Sequence, residues 1–277
     1  MISTFVSDGA RQSFRDNGAG IPVVFLHPTP LDQEYWRPMT EDLAGVRAIV
    51  PDLRGHGKSE LGTDLPVGGF AAVPDAPVLT MARLASDILS LLDHLNISTA
   101  VFAGCSIGGY VLLELWRRAP ERILGLAFVC SKPQPDVAAN LEKRAANIAL
   151  ARKDGTGALF DGMVQASTGA TARQRRPEIV TELRARMTLS AEGAVAVQAG
   201  LATRPDSLPT VVTINVPVVA IAGGEDTAVT PAEMEAFNRA PGGCEFHLLP
   251  DAGHFAAYEQ PRKMAALMAD WLRQLDV

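Results

Sequence analysis

The sequence predicts an α/β protein: a mostly parallel, doubly wound sheet with helices on both faces, broken once by a helical insertion. Three observations carry this. Short apolar runs alternate with amphipathic segments through 22–130 and again through 218–275, the rhythm of βαβ units. Between 133 and 208 that rhythm stops and only helical spacing remains. A glycine-flanked serine, Gly104-Cys105-Ser106-Ile107-Gly108-Gly109, falls where an apolar strand meets an amphipathic helix.

The elements follow in order. Residues 4–14 alternate around Asp8-Gly9, the pattern of a hairpin. A strand over 22–26 leads to a helix near 35–43, and a strand over 47–50 leads to a Gly/Pro-rich stretch, 59–80, without periodicity. Aperiodic loops of that length are usually functional, and this one is placed to form a pocket rim. A helix over 81–95, a strand over 99–103, a helix over 110–118 and a strand over 123–130 close the first half. Helices are expected over 138–153, 157–165, 178–188 and 191–202. A strand over 218–222, a helix over 231–239, a strand over 245–249 and a helix over 261–275, started by Pro261, complete the chain. The expected division is a core of residues 1–132 and 209–277 with the insertion over 133–208.

At 277 residues the chain exceeds a typical single domain but suits one α/β core with an insertion. A formal charge of −6 argues against nucleic acid, which demands a basic footprint. No apolar run approaches the roughly 20 residues that span a bilayer, and the N-terminus lacks a charged region followed by an apolar stretch. A soluble, cytoplasmic protein without an export signal and without membrane contact is therefore expected. Cys105, Cys130 and Cys244 show neither a C-x-x-C pair nor zinc spacing, which suits reduced thiols. Asn96-Ile97-Ser98 matches a glycosylation acceptor, but Asn96 reads better as a helix end. The insertion holds ten Lys and Arg against eight Asp and Glu, so it is +2 while the remainder is −8. That hints at an anionic group on a substrate, but Arg173, Arg175 and Arg176 fit a solvated helix-loop face better. Phe160, Met163 and Met187 are expected to pack the insertion.

The serine motif has the form of a nucleophile elbow. A strand-to-helix reversal this tight leaves no room for side chains beside it, hence Gly104 and Gly108, and it lifts the Ser106 hydroxyl clear at the positive end of a helix. A serine nucleophile needs a base and a group to orient that base. His94 falls on a helix and His247 inside a strand, and His27 and His56 belong to turns. His254, between the last strand and the last helix, is the remaining candidate. The acid is best placed at Asp226, after the apolar strand 218–222; Glu225, Asp136 and Asp251 are the alternatives. In a parallel sheet the C-terminal strand ends share one edge, where Ser106, Asp226 and His254 would converge.

This chain order, the elbow and two further motifs resemble the α/β-hydrolase superfamily over nearly the whole chain. The first is His27-Pro28-Thr29-Pro30, where relatives usually carry His-Gly; the second is Asp52-Leu53-Arg54-Gly55-His56-Gly57-Lys58-Ser59. The resemblance implies an oxyanion hole made by the backbone amides of Thr29 and Ile107. Pro28 departs from the pattern, and because proline has no N–H the hole requires the Thr29 amide. It also implies a structural role for Arg54 and His56, and a helical cap for the insertion. The pieces shared with capped esterases and enol-lactonases of the 3-oxoadipate type are the elbow, Arg204-Pro205-Asp206-Ser207, Gly253-His254-Phe255 and Glu259-Gln260-Pro261.

The expected activity is therefore serine hydrolysis of a small carboxylic ester or lactone through an acyl-enzyme, with no metal and no organic cofactor. Ser106 in place of aspartate argues against epoxide hydrolysis and dehalogenation. Carbon–carbon bond hydrolysis, acyl transfer, perhydrolysis and ligand reception with little turnover all remain open on the same residues. Oligomeric state is not legible.

Overall fold

The structure, a computed structural model, describes residues 2–275. Eight strands form one sheet in the order β1-β2-β4-β3-β5-β6-β7-β8. β1 (Ile2–Ser7) and β2 (Ala10–Gly18) form the expected antiparallel hairpin, with Asp8 at φ 44° and Gly9 at φ 73° in its two-residue turn. Positive φ at both positions matches the right-handed twist of the strands, which explains Asp-Gly there. β3 (Ile21–Leu26), β4 (Val46–Pro51), β5 (Ala100–Cys105), β6 (Ile123–Val129), β7 (Val218–Gly223) and β8 (Cys244–Leu249) run parallel. β5 and β7 are buried along their whole length, as strands covered on both faces must be.

The helix expected near 35–43 is shorter: a 3₁₀ turn, Gln33–Trp36, runs into a single α turn, α1 (Arg37–Thr40). The Asp32 side chain caps the start by accepting from the Glu34 amide, and Tyr35, Trp36 and Met39 are buried, so packing holds a segment too short to be stable alone. α2 (Met81–His94) begins on the Thr80 cap. It ends where Asn96, at φ 53°, lets its own amide reach Asp93 O and the Ile97 amide reach Leu92 O. That is a Schellman closure and accounts for Asn96. α3 (Ile107–Arg118) starts directly at the serine turn, three residues earlier than its periodicity suggests.

Between β6 and β7 the described residues form helices and no strand: α4 (Ala138–Asp154), α5 (Gly157–Ser167), α6 (Ala170–Arg175), α7 (Glu178–Ala185), α8 (Ala191–Ala202) and α9 (Leu208–Val211). α6 and α9 escape sequence reading because neither is long enough to display a period. α4 packs on α8, and Phe160 and Met187 are buried as expected. The 59–80 stretch is strapped to this region, for the Leu79 amide donates to Ala196 O at 3.0 Å. A Cβ on Gly200 would lie 1.8 Å from Leu79 O, so only glycine permits the approach. α10 (Pro231–Met234) continues as a 3₁₀ turn, Glu235–Arg239; α11 (Ala256–Glu259) and α12 (Pro261–Leu272) follow β8.

Strand order reverses direction between β3 and β5. The crevice outside their carboxyl ends is the place where open α/β sheets bind ligands. The 27–30 turn leaves β3 there, and Ser106 leaves β5.

Candidate active site

Ser106 sits at φ 54°, ψ −115°, outside the usual region for a residue with a side chain. Such a conformation costs on the order of 1–3 kcal/mol and survives only where its surroundings over-determine it. They do so here. The Ser106 amide donates to Val129 O at 3.0 Å, and its carbonyl accepts from the Gly109 amide at 2.9 Å and the Ser131 hydroxyl at 2.9 Å. Added Cβ atoms would lie 2.4 Å from Gly108 C at Gly104, 2.4 Å from Leu26 O at Gly108 and 2.3 Å from Ser131 Oγ at Gly109. Gly104 and Gly108 let strand, turn and helix meet backbone to backbone, and Gly109 leaves room for the Ser131 side chain that holds the Ser106 carbonyl.

Asp226 and His254 come together: Asp226 Oδ2 is 2.7 Å from His254 Nδ1, with both residues buried. Asp226 Oδ1 accepts from the amides of Ala228 and Val229 at 2.8 and 3.1 Å, which fixes the carboxylate. Burial pushes the Asp226 pKa up, but the His254 charge and these donors outweigh it and hold the group below its ordinary range. Burial likewise pushes His254 down, and the Asp226 charge and hydrogen bond followed by the Glu259 charge reverse that, leaving the imidazole above its ordinary value. With Nδ1 occupied by a carboxylate, the proton resides there and Nε2 carries the free lone pair. Among the described residues no hydrogen bond links Ser106 Oγ to His254, a separation common before substrate is bound.

The other acids are elsewhere. Asp136 lies against Arg144 Nε at 2.9 Å and Arg204 Nη1 at 2.7 Å, the second contact by charge alone because its geometry is not that of a hydrogen bond. Burial opposes its ionisation, yet the two guanidinium groups hold its pKa below the usual value. Glu225 accepts from the Thr171 amide and hydroxyl, and the Asp251 carbonyl accepts from Gln260.

Thr29 and Ile107 lie at the two adjoining strand ends. Ile107 opens α3, where helix amides have no intrahelical partner. The Thr29 amide lies between two prolines, in a turn closed by the Leu31 amide on Pro28 O at 3.0 Å. His27 is buried, accepts from the Leu53 amide at 2.9 Å and has its pKa lowered to about 4 by burial. Arg54 forms a buried two-point pair with Asp87 at 2.7 and 2.8 Å, and Asp52 accepts from Gln33 and from the Lys58 amide. Both residues brace the Asp52–Ser59 turn.

Two contributions escape sequence reading. The Cys105 thiol donates to His254 O at 3.6 Å and in turn accepts from the Tyr35 hydroxyl at 3.2 Å, so Cys105 braces the histidine loop. Arg144 is a cation whose charge opposes protonation of His254. Arg173 donates to the carbonyls of Gln165 and Thr168. Nothing in the spacing of 138–154 distinguishes Arg144 from a surface residue. Among the described residues no cluster of His, Cys, Asp and Glu has metal-ligand geometry, and no helix is long and apolar enough to cross a membrane.

A mostly parallel eight-stranded sheet, with a serine turn after β5 and an acid–histidine pair after β7 and β8, defines a protein of the hydrolase class. Residues 23–267 match the alpha/beta hydrolase family, and the chain belongs to that family. It is similar to a thermophilic esterase from Thermogutta terrifontis solved with malate bound, at 31% identity over 100% of this chain and 98% of the other, TM-score 0.88. It is also similar to the enol-lactonase of Burkholderia xenovorans LB400, at 26% identity over 98% and 100%, TM-score 0.86. A 2-succinyl-6-hydroxy-2,4-cyclohexadiene-1-carboxylate synthase from Salmonella heidelberg (strain SL476) shares 26% identity over 91% of this chain and 93% of its own.

Proposed function

We propose that the protein hydrolyses a small carboxylic ester or lactone through an acyl-enzyme on Ser106. The observation that carries this reading is the 2.7 Å Asp226–His254 pair on the sheet edge where Ser106 is held at positive φ. His254 Nε2 removes the Ser106 proton as Oγ attacks the carbonyl, and returns it to the leaving alcohol. Asp226 keeps the tautomer and offsets the charge that forms on the imidazole. The amides of Thr29 and Ile107 stabilise the oxyanion, fixed donors being worth most where they need not reorganise. Water, activated by His254, then releases the acid and restores Ser106. The chemistry uses no metal or organic cofactor.

Residues 133–208 act as a cap that selects the substrate, over a core of 1–132 and 209–277 that performs the reaction. The selected acid or alcohol carries a carboxylate. Two arginines share one aspartate in the Arg144–Asp136–Arg204 cluster, leaving a net positive charge, and Arg204 lies 4.4 Å from the Tyr110 ring, one helical turn past Ser106. Malate, bound to the Thermogutta esterase, has this chemistry. The working compartment is the cytoplasm, in keeping with three free thiols.

The test is pre-steady-state hydrolysis of a chromogenic ester, followed by a screen of short esters, lactones and aryl diketones. The wild type should release a burst of alcohol stoichiometric with enzyme, and Ser106→Ala should lose it. A Ser106→Ala variant retaining more than about a tenth of wild-type kcat, a loss below ~1.4 kcal/mol, overturns the reading.

A further inference from the structure

The loop that carries His254 is tied down by a carboxylate that the proposed reaction does not use. Glu259 ends α11, is 3% exposed and reaches back over its own loop. Its Oε2 accepts from the Gly253 amide at 2.9 Å, and its Oε1 from the Phe255 amide at 3.2 Å, so one side chain holds the residues on both sides of His254. Oε2 also accepts from the Gly169 amide at 3.0 Å, between α5 and α6. The same crossing strip receives the His254 amide on Ser167 O at 2.8 Å and gives the Thr171 amide to Glu225 Oε2 at 2.8 Å, beside Asp226. Residues 167–171 thus bridge the loop of the acid and the loop of the histidine.

The approach is as close as backbones allow. A Cβ on Gly253 would lie 2.3 Å from the Gly169 nitrogen, and one on Gly169 would lie 2.6 Å from Glu225 Oε2 and 2.7 Å from the Gly253 nitrogen. A buried carboxylate is expensive unless donors satisfy it. Three backbone amides do so, an arrangement that favours the charged form. An apolar residue would fill the same space but could not gather three amides to one point.

We propose that Glu259 is the positioning residue of His254: its carboxylate fixes the loop on both sides of the imidazole and fastens the 167–171 strip to it. This inference rests on the reading of His254 as general base. Burial outweighs the pull of the three amides and of His254, so the Glu259 carboxyl sits above its ordinary range. The charge that remains adds to that of Asp226 in favouring protonated His254. The other charged groups around the pair include Asp226 and Glu225, both held below their ordinary range against the effect of burial, Arg144, Arg173 on the Thr168 carbonyl, and Arg176 on the Tyr258 carbonyl. Tyr35, Cys105 and Cys130 also lie there, each pushed up by burial and neutral in the working range. Removing the Glu259 charge should therefore lower the pH at which His254 titrates.

The experiment compares wild type, Glu259→Gln and Glu259→Asp in the burst assay and in the pH profile of kcat/KM. Glu259→Gln keeps the shape but loses the charge and one accepting oxygen. Its kcat should fall at least about tenfold, since small misplacements of a reacting group are costly, and its acid limb should move to lower pH by about half a unit or more. Glu259→Asp keeps the charge but withdraws it from the loop, so kcat should fall while the limb stays within about 0.2 units of wild type. A Glu259→Gln variant of lower thermal stability with unchanged kcat and unchanged acid limb makes Glu259 merely structural and overturns the proposal. If Glu259→Gln does not fold, Glu259→Asp decides: wild-type kcat overturns it. A wild type without a burst removes the acyl-enzyme reading instead, a different outcome from a bursting wild type that Glu259 variants leave untouched.

Discussion

His56 accepts the hydroxyl proton of Thr29 across 2.9 Å. The assignment follows from the other side of the ring, where Nδ1 lies 3.1 Å from the Arg54 carbonyl, which can only accept. Nδ1 must carry the proton, and Nε2 is left with a lone pair. Burial, followed by the neighbouring His27, lowers the His56 pKa to about 3, so the arrangement holds throughout the neutral range. A histidine of the Asp52–Ser59 turn thereby anchors the residue whose amide is assigned to the oxyanion. His56→Leu should leave the Thr29 hydroxyl unpaired at a cost of about 1–3 kcal/mol in stability. It should reduce kcat by about 10- to 100-fold with less effect on KM. Steady-state kinetics and thermal melts check both parts, and an unchanged kcat would detach Thr29 from the chemistry.

Asp226→Asn should lower kcat by several orders of magnitude, about 10⁴ by analogy with serine proteases, because the amide favours the wrong imidazole tautomer. Asp136→Asn should act differently. It leaves Arg144 and Arg204 facing each other without their shared counter-charge, and breaking a buried ion pair from one side costs about 3–5 kcal/mol. Its signature is a fall in melting temperature, with kcat at permissive temperature reduced far less than in Asp226→Asn. The reverse ranking of kcat would transfer the orienting role to Asp136.

The pH profile has a definite sign. His254 must be neutral to act as base, and its pKa lies above the ordinary histidine value of about 6.5. Activity should therefore be lost as pH falls through a midpoint above 6.5. His27 and His56, near 4 and 3, are already neutral there and add nothing to the limb. Plots of log kcat/KM against pH should show a single acid limb of unit slope. A slope of two, or a midpoint below about 6, contradicts the assignment.

Arg144→Ala should raise KM for esters bearing a carboxylate by about tenfold or more while changing KM for neutral esters of similar size much less, since charge-assisted hydrogen bonds contribute about 1.5–3 kcal/mol. Reversing Arg173, Arg175 and Arg176 should produce no such contrast. Equal effects of Arg144→Ala on both ester types would leave the guanidinium as a partner of Asp136 and Gln198 alone.

The sheet was readable because β3, β5, β6 and β7 are apolar runs between turn residues, and Asp8-Gly9, Asn96 and Pro261 each announce a boundary by backbone preference. Asp226 and His254 were readable as partners because both follow strands of one parallel sheet, which puts them on one edge whatever the details of packing. The strip 167–171 was not readable. Ser167, Gly169 and Thr171 have no period, and their partners Glu259, His254 and Glu225 lie 54 to 90 positions away, joined largely through backbone amides that carry no residue-type signature. The Cys105 contact is illegible in sequence for the same reason: its thiol acts on a carbonyl, and every residue has one.

The glycines of the serine turn set a limit on variation. At Gly104, Gly108 and Gly109 the first added carbon already overlaps a neighbouring atom. Such positions offer no intermediate steps between tolerated and ruinous, so neither natural drift nor laboratory selection can retune this turn by small increments. Diversification is channelled instead into positions between β4 and α2 and between β6 and β7 other than the close approaches at Gly169 and Gly200. New specificities on this scaffold should accumulate there, while the turn beneath them stays fixed.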